Sequence, residues 1–313
     1  RASRSMAAAV EALEARRLLA GDLVTVQAVP YILNFDKARK GVIDADGQGT
    51  GFSFVQPNKN GDEYRPGNLD LRVSSKTLSI KTTGSSSNGS NYGQDNTQTN
   101  VLGTQFNGSA ATFAVTTTLR GPLDYLNERF EQAGVYFGPD QDNYVKLVVG
   151  VGAAGTGLQF VAETKPASTI TFPIGGNGSF ASIGSLGAVS TLQLSLVGNP
   201  SSGKVQAFYQ VNEGPVKKFG TELTLSGASK NAFFTSTSRG GILASHKNNS
   251  GGITATFSRF AVTNDIPQVS QPAILAVRPG AGQTNVSRDI FVAADVFLPT
   301  TGSGVDDGSF SSD

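Results

Sequence analysis

From Val26 to Val262 apolar residues recur at every second position, the period of strands with one buried face. Leu78 and Ile80 alternate with polar partners in KTLSIKTT, Val115, Thr117 and Leu119 in VTTTLRG, and Leu158 and Phe160 in LQFVAE. Ile170, Phe172 and Ile174 do so in TITFPI. The clearest run is TLQLSLV, with Leu192, Leu194 and Leu196 on one face. VQAFYQV follows, with Val205, Ala207, Tyr209 and Val211. Clusters of Gly, Asn, Ser and Pro separate these runs, and no helical period intervenes. Many short strands joined by turns predict an all-β sandwich, and its length favours a large jelly roll over a small Ig-type domain.

The pattern changes at both ends. Residues 6–19, MAAAVEALEARRLL, predict a short helix of strong helix formers, with Ser5 as cap and Gly21 as stop. Asn264-Asp265-Ile266-Pro267 ends the alternation, and residues 265–272 form a linker. Beyond it, Ile274, Ala276 and the alternation in IFVAADVF predict two strands around a Gly-Ala-Gly turn. Residues 273–313 are too few to bury a core of their own. The chain opens at Arg1 and closes on GVDDGSFSSD, so the expectation is a piece of a longer protein with further domains. The expected division is a tail over 1–27, a sandwich over 28–264, the linker, and the start of a second unit.

Composition narrows the chemistry. Charged residues make up 16% of the 313, with 38 Gly, no Cys, no Trp and one His, which suits strands and turns. A net charge of +1 leaves no basic face for nucleic acid. The lack of Cys removes disulfides, thiol catalysis and Cys-based zinc sites. No apolar run reaches the length of a membrane span, so no transmembrane segment is expected.

Four stretches invite a functional interpretation. In EQAGVYFGPDQDNYVKLVVG, Ala133, Val135 and Phe137 share one face of the first run and Val145, Leu147 and Val149 one face of the second, and a hairpin between them puts both triplets on the same side. Asp140, Asp142 and Asn143 then serve the turn. Calcium is the ion that such hard oxygens suit, but three side chains are too few to support it, and no cofactor is expected. GVGAAG (150–155) matches a dinucleotide fingerprint in form, yet a strand pattern follows where a helix must start. GNPSSGKV (198–205) nearly spells a P-loop, but Val205 occupies the Mg²⁺ position and a strand follows again. His246 lacks a serine on an activating turn and is expected to be an exposed strand-end residue. Neighbouring carboxylates also fail: Glu128 and Glu131 would face opposite sides of a strand, as would Asp62 and Glu63, though residues distant in sequence can still meet in space.

Three segments together carry a resemblance. GQGTGFSFVQPNKNGDEYRPGNLDLRVSSKTLSIKTT (47–83), AGVYFGPDQDNYVKLVVG and GGILASHKNNSGGITATFSRFAVTN (240–264) resemble a bacterial concanavalin A-like lectin/glucanase domain. The resemblance implies a two-sheet jelly roll with its first and last strands adjacent. Glucanases of this kind carry Glu-x-Asp-x-Glu on one strand, and this chain has no such triplet. Ser258-Arg259 stands where many relatives have an acidic pair, so Asp36 would lack a partner for calcium. VEALEARRLLAG (10–21) resembles the LExRxLL motif of exported proteins, implying an extracellular or cell-surface location. VRPGAGQTNVSRDIFVAADVF resembles the opening of an SbsA-type bacterial Ig-like domain.

The resulting expectation is a non-catalytic carbohydrate-binding or adhesive module, not an enzyme, with a polysaccharide or glycoconjugate as partner. Sugar recognition calls for an aromatic platform flanked by amides and carboxylates. SNGSNYGQDNTQTN supplies Tyr92 among Asn91, Asp95, Asn96 and Asn100, and the strands add Arg120 and Tyr136. The alternatives are a structural spacer of the cell envelope or a glycan hydrolase.

Overall fold

The period-two runs pair into two sheets stacked face to face. The structure is a computed structural model. It describes residues 25–82, 96–153, 155–164, 169–171, 173, 180–246, 252–269, 273–279, 282, 284 and 293–297. The helix expected at 6–19, Phe172 and Ile174 lie outside the described residues.

The first sheet runs β1 (Val26–Gln27), β6 (Leu102–Phe106), β15 (Ser238–Ser245), β8 (Gln132–Asp140), β9 (Asn143–Gly152), β10 (Gly155–Thr164) and β11 (Thr169–Thr171). A short β3 (Phe54–Val55) also pairs with β6. The second sheet runs β14 (Lys217–Thr224), β13 (Lys204–Val211), β12 (Thr191–Asn199), β7 (Phe113–Arg120), β16 (Thr254–Thr263), β5 (Thr77–Lys81) and β4 (Leu69–Arg72). In it β2 (Tyr31–Leu33) pairs with β16, matching Tyr31 to Val262, so the first and last strands of the second sheet are neighbours. A separate antiparallel pair joins β17 (Ala273–Arg278) to β18 (Ala293–Phe297). Asp36 is exposed beyond the end of β2, and the register of β16 against β7 shifts between Phe257 and Arg259.

The facing sides of the sheets supply the core. Val135, Phe137, Leu147, Phe160 and Ile242 from the first meet Leu78, Val115, Leu119, Leu194 and Phe257 from the second, all fully buried. Phe137 lies at the centre of a ring cluster, with centroids 5.1 Å from Phe113, 5.6 Å from Phe233 and 5.3 Å from Phe234. Helix α1 (Gly227–Phe233) supplies Phe233, and its C-cap residue supplies Phe234. Edge-on and tilted contacts of this kind add to the area that each ring removes from water.

Turn chemistry follows the sequence. Asp140 Oδ1 accepts the N–H of Asp142 and Asn143 Nδ2, which folds the β8–β9 hairpin. GVGAAG is the corner between β9 and β10, with no helix at Gly155. The near P-loop is the β12–β13 turn: Asn199 Oδ1 caps Ser201 and Ser202, and Gly203 adopts a φ of 71°. A Cβ there would sit 2.4 Å from the Leu225 carbonyl oxygen.

The edge strand β4 is closed by a buried carboxylate. Asp44 accepts backbone N–H groups of Asp46, Gln48 and Leu71, at 3.0, 2.8 and 2.9 Å. Asp44→Ala strands these donors and is expected to destabilise the fold by about 3 kcal/mol or more. A lower urea midpoint with an unchanged m-value checks this.

Candidate active site

An outer face of an antiparallel sandwich is normally wet, but on the first sheet it is buried. Val145, Leu147 and Val149 of β9 point into the main core, so Tyr144, Lys146 and Val148 point outward. By the same alternation β8 presents Gln132 and Tyr136, β10 presents Gln159, Val161 and Glu163, and β15 presents Leu243 and Ser245. Across the strands Tyr144 faces Glu163, Lys146 lies between Tyr136 and Val161, and Gln132 faces Ser245. Val101, Tyr136, Val148 and Leu243 form a small second core across the middle, with Phe180 against it. Gly103 gives Tyr136 its place, since a Cβ there would come 2.3 Å from the tyrosine hydroxyl.

At one end of this face two carboxyl groups meet on Asn96. Its backbone N–H donates to Asp142 Oδ1 at 2.9 Å, and its Nδ2 donates to Glu163 Oε2 at 3.3 Å. Tyr144 adds a hydroxyl bond of 2.8 Å to the same Oε2. Glu163 is 1% exposed, and its Oε1 has no hydrogen-bond partner. Burial raises its pKa, the bonds from Tyr144 and Asn96 and the charge of Lys146 oppose that, and Asp142 reinforces it. With Oε2 already accepting two hydrogen bonds, the proton of the neutral acid belongs on Oε1. A buried acid with a second carboxyl group beside it is the arrangement from which acid–base pairs are made.

Lys146 runs along the same face. Its Nζ donates to Gln132 Oε1 at 3.0 Å and lies 5.4 Å from the centre of the Tyr144 ring. Burial pushes the ammonium down to about 8, against the attraction of Glu163. Further polar groups crowd the Tyr136 edge. Gln141 Nε2 donates to the carbonyls of Gln56 and Gln98, whose own Oε1 atoms are buried without partners.

The residues singled out from the sequence fall in several places. Asn96 and Tyr136 come together on this face, both 2% exposed. Asn100 does not join them: held at a φ of 52°, it bonds both Arg65 backbone groups, at 2.9 Å each. Arg120 is exposed at the end of β7, in the other sheet, and donates to the Ser75 carbonyl. Asn91, Tyr92 and Asp95 lie outside the described residues. His246 is corrected from exposed to 2% exposed, because β15 is flanked on both sides, by β6 and β8, and its end is covered. Glu163 and Asp142 were missed: one reads as an ordinary polar position in VAETK, the other as turn chemistry. Among the described residues no group of three or more His, Asp or Glu side chains is placed to hold a metal, and no helix is long and apolar enough to cross a membrane.

Lys146 sets a pH dependence. Its folded pKa lies below its unfolded one, so in the window between them the unfolded chain carries a proton that the fold does not. Stability therefore rises with pH there, by about 2 kcal/mol between roughly pH 7 and 10. Above that the buried Tyr125 and Tyr136, whose pKa values burial raises, reverse the slope. Lys146→Met is expected to flatten the rise in urea titrations across this range.

No protein-family model and no curated protein matches the chain. Its fold is similar to solved structures. One is the xylan β-1,4-xylosidase of Bacillus halodurans C-125, at 15% identity and a TM-score of 0.51, over 78% of this chain and 41% of that one. Another is the GH43 protein BlXynB of Bacillus licheniformis, at 14% identity and a TM-score of 0.50, over 76% of this chain and 40% of that one. The chain thus spans about two fifths of the length of these neighbours. At this identity the likeness shows the fold, an all-β sandwich. The expectation of a non-catalytic binding or adhesive module that is not an enzyme is corrected here. Its basis was the lack of a carboxylate pair on one strand, whereas the fold brings Glu163 and Asp142 together from separate elements, and the neighbours include a glycan-cleaving enzyme.

Proposed function

We propose that the chain hydrolyses glycosidic bonds, with Glu163 as general acid and Asp142 as the second carboxyl group. The supporting observation is the bridge through Asn96, which holds both carboxyl groups on one residue while burial keeps Glu163 protonated above the usual carboxylate range. Glu163 Oε1–H protonates the leaving oxygen as the C–O bond breaks. Asp142 receives the proton of the attacking water, or attacks the anomeric carbon itself before water releases the sugar. Tyr144 and Asn96 hold the acid in place, and Lys146 stabilises the carboxylate left after proton transfer. A polysaccharide is the substrate class, and β-1,4-linked xylan is the first to test because it is the substrate named for a neighbour of this fold.

The same proposal places the protein outside the cell, where polysaccharides are met, in keeping with the LExRxLL-like segment at 10–21. It divides the chain into the sandwich over 28–264, a linker over 265–272, and the start of an SbsA-type Ig-like unit from 273. The pairing of β17 with β18 agrees with that start.

Reducing-sugar release from xylan and other β-glycans tests the assignment. The unmodified chain is expected to release sugar, and Glu163→Gln or Asp142→Asn to lower kcat/KM by about 10²–10⁴-fold with the melting temperature kept. Full activity in both variants, or no release by the unmodified chain, would overturn it.

A further inference from the structure

The opposite end of the buried face is built from donors. Ser245 is 0% exposed, and its hydroxyl has no hydrogen-bond partner. It stands directly across from Gln132, which is itself 6% exposed. Gln132 accepts the Lys146 ammonium on its Oε1, and its amide also carries a donor, Nε2. The next residue, His246, is buried with Nδ1 unpartnered. An ammonium, an amide N–H and a hydroxyl gathered on one patch suit an anion, and a hydroxyl buried without a partner carries a desolvation cost that a ligand would relieve.

We infer that Lys146, Gln132 and Ser245 bind the carboxylate of an acidic sugar, so that the substrate is a glycan bearing uronic acid groups. This rests on the glycan-hydrolase assignment for its context; Gln132 and Ser245 stand apart from the Asp142–Asn96 end of the face, and Lys146 reaches between the two ends. One carboxylate oxygen pairs with the Lys146 ammonium and the other with the Ser245 hydroxyl and Gln132 amide. The two rows of outward-facing positions between Glu163 and Ser245 put the acidic unit away from the cleaved bond.

Titration calorimetry with two ligands tests this. One is a β-1,4-xylo-oligosaccharide carrying glucuronic acid, and the other is the same molecule with that carboxyl group reduced to an alcohol. The acidic form is expected to bind about tenfold more tightly, with an advantage that shrinks as salt rises. Ser245→Ala, which removes one oxygen and keeps the fold, is expected to cut that advantage several-fold while leaving the reduced ligand unaffected. Lys146→Gln is expected to abolish it. Glu163→Gln should keep the preference, which separates the two proposals. A preference without hydrolysis sinks only the catalytic assignment, and hydrolysis with equal affinities sinks only this one. Equal binding, no binding of either ligand, or an unchanged advantage in Ser245→Ala overturns the inference.

Discussion

Everything in this fold depends on the meeting of two apolar inner faces around Phe137. Rings from β6, β7 and α1 close on it, while Leu194, Val115 and Phe257 fill the space beside it. Because side chains alternate along a strand, burying Val145, Leu147 and Val149 obliges Tyr144, Lys146 and Val148 to face outward. A slip of one residue would carry Lys146 into the core and put three valine and leucine side chains on the polar face. The candidate site's face is in this sense a consequence of the core.

That outward face costs the fold stability. A lysine and a glutamate 1% exposed are expensive to desolvate, and both shift toward their neutral forms in response. Hydrogen bonds from Tyr144 and Asn96 to Glu163, and from Lys146 to Gln132, offset part of the cost. Several oxygens still go without partners, among them Glu163 Oε1 and Ser245 Oγ. A packed apolar surface would serve the fold better, and strain of this kind gathers where a protein acts on something else.

Much of the sandwich was legible. TLQLSLV and VQAFYQV became β12 and β13, and the loop between them is the turn that their glycine, proline and asparagine predicted. GVGAAG and GNPSSGKV were readable as corners because strands follow them, and a backbone cannot start a helix while alternating. The site was less legible. Asn96 sits in a polar run that resembles a solvated loop, and Asp142 in a turn that needs acidic and amide residues anyway. Glu163 occupies one polar beat of a strand. His246 gave no sign of burial, since one residue past a strand end has no period to report it.

Local sequence determined the alternation, the turns and therefore which side of each strand is apolar, because these depend on residues adjacent in the chain. Tertiary structure alone decided that Asn96, Asp142 and Glu163 share hydrogen bonds, and that Ser245 looks across at Gln132. Those residues are separated by 46, 67 and 113 positions. Their meeting follows from strand order and register, which are set by how the two sheets bury each other and not by any pattern within a single segment.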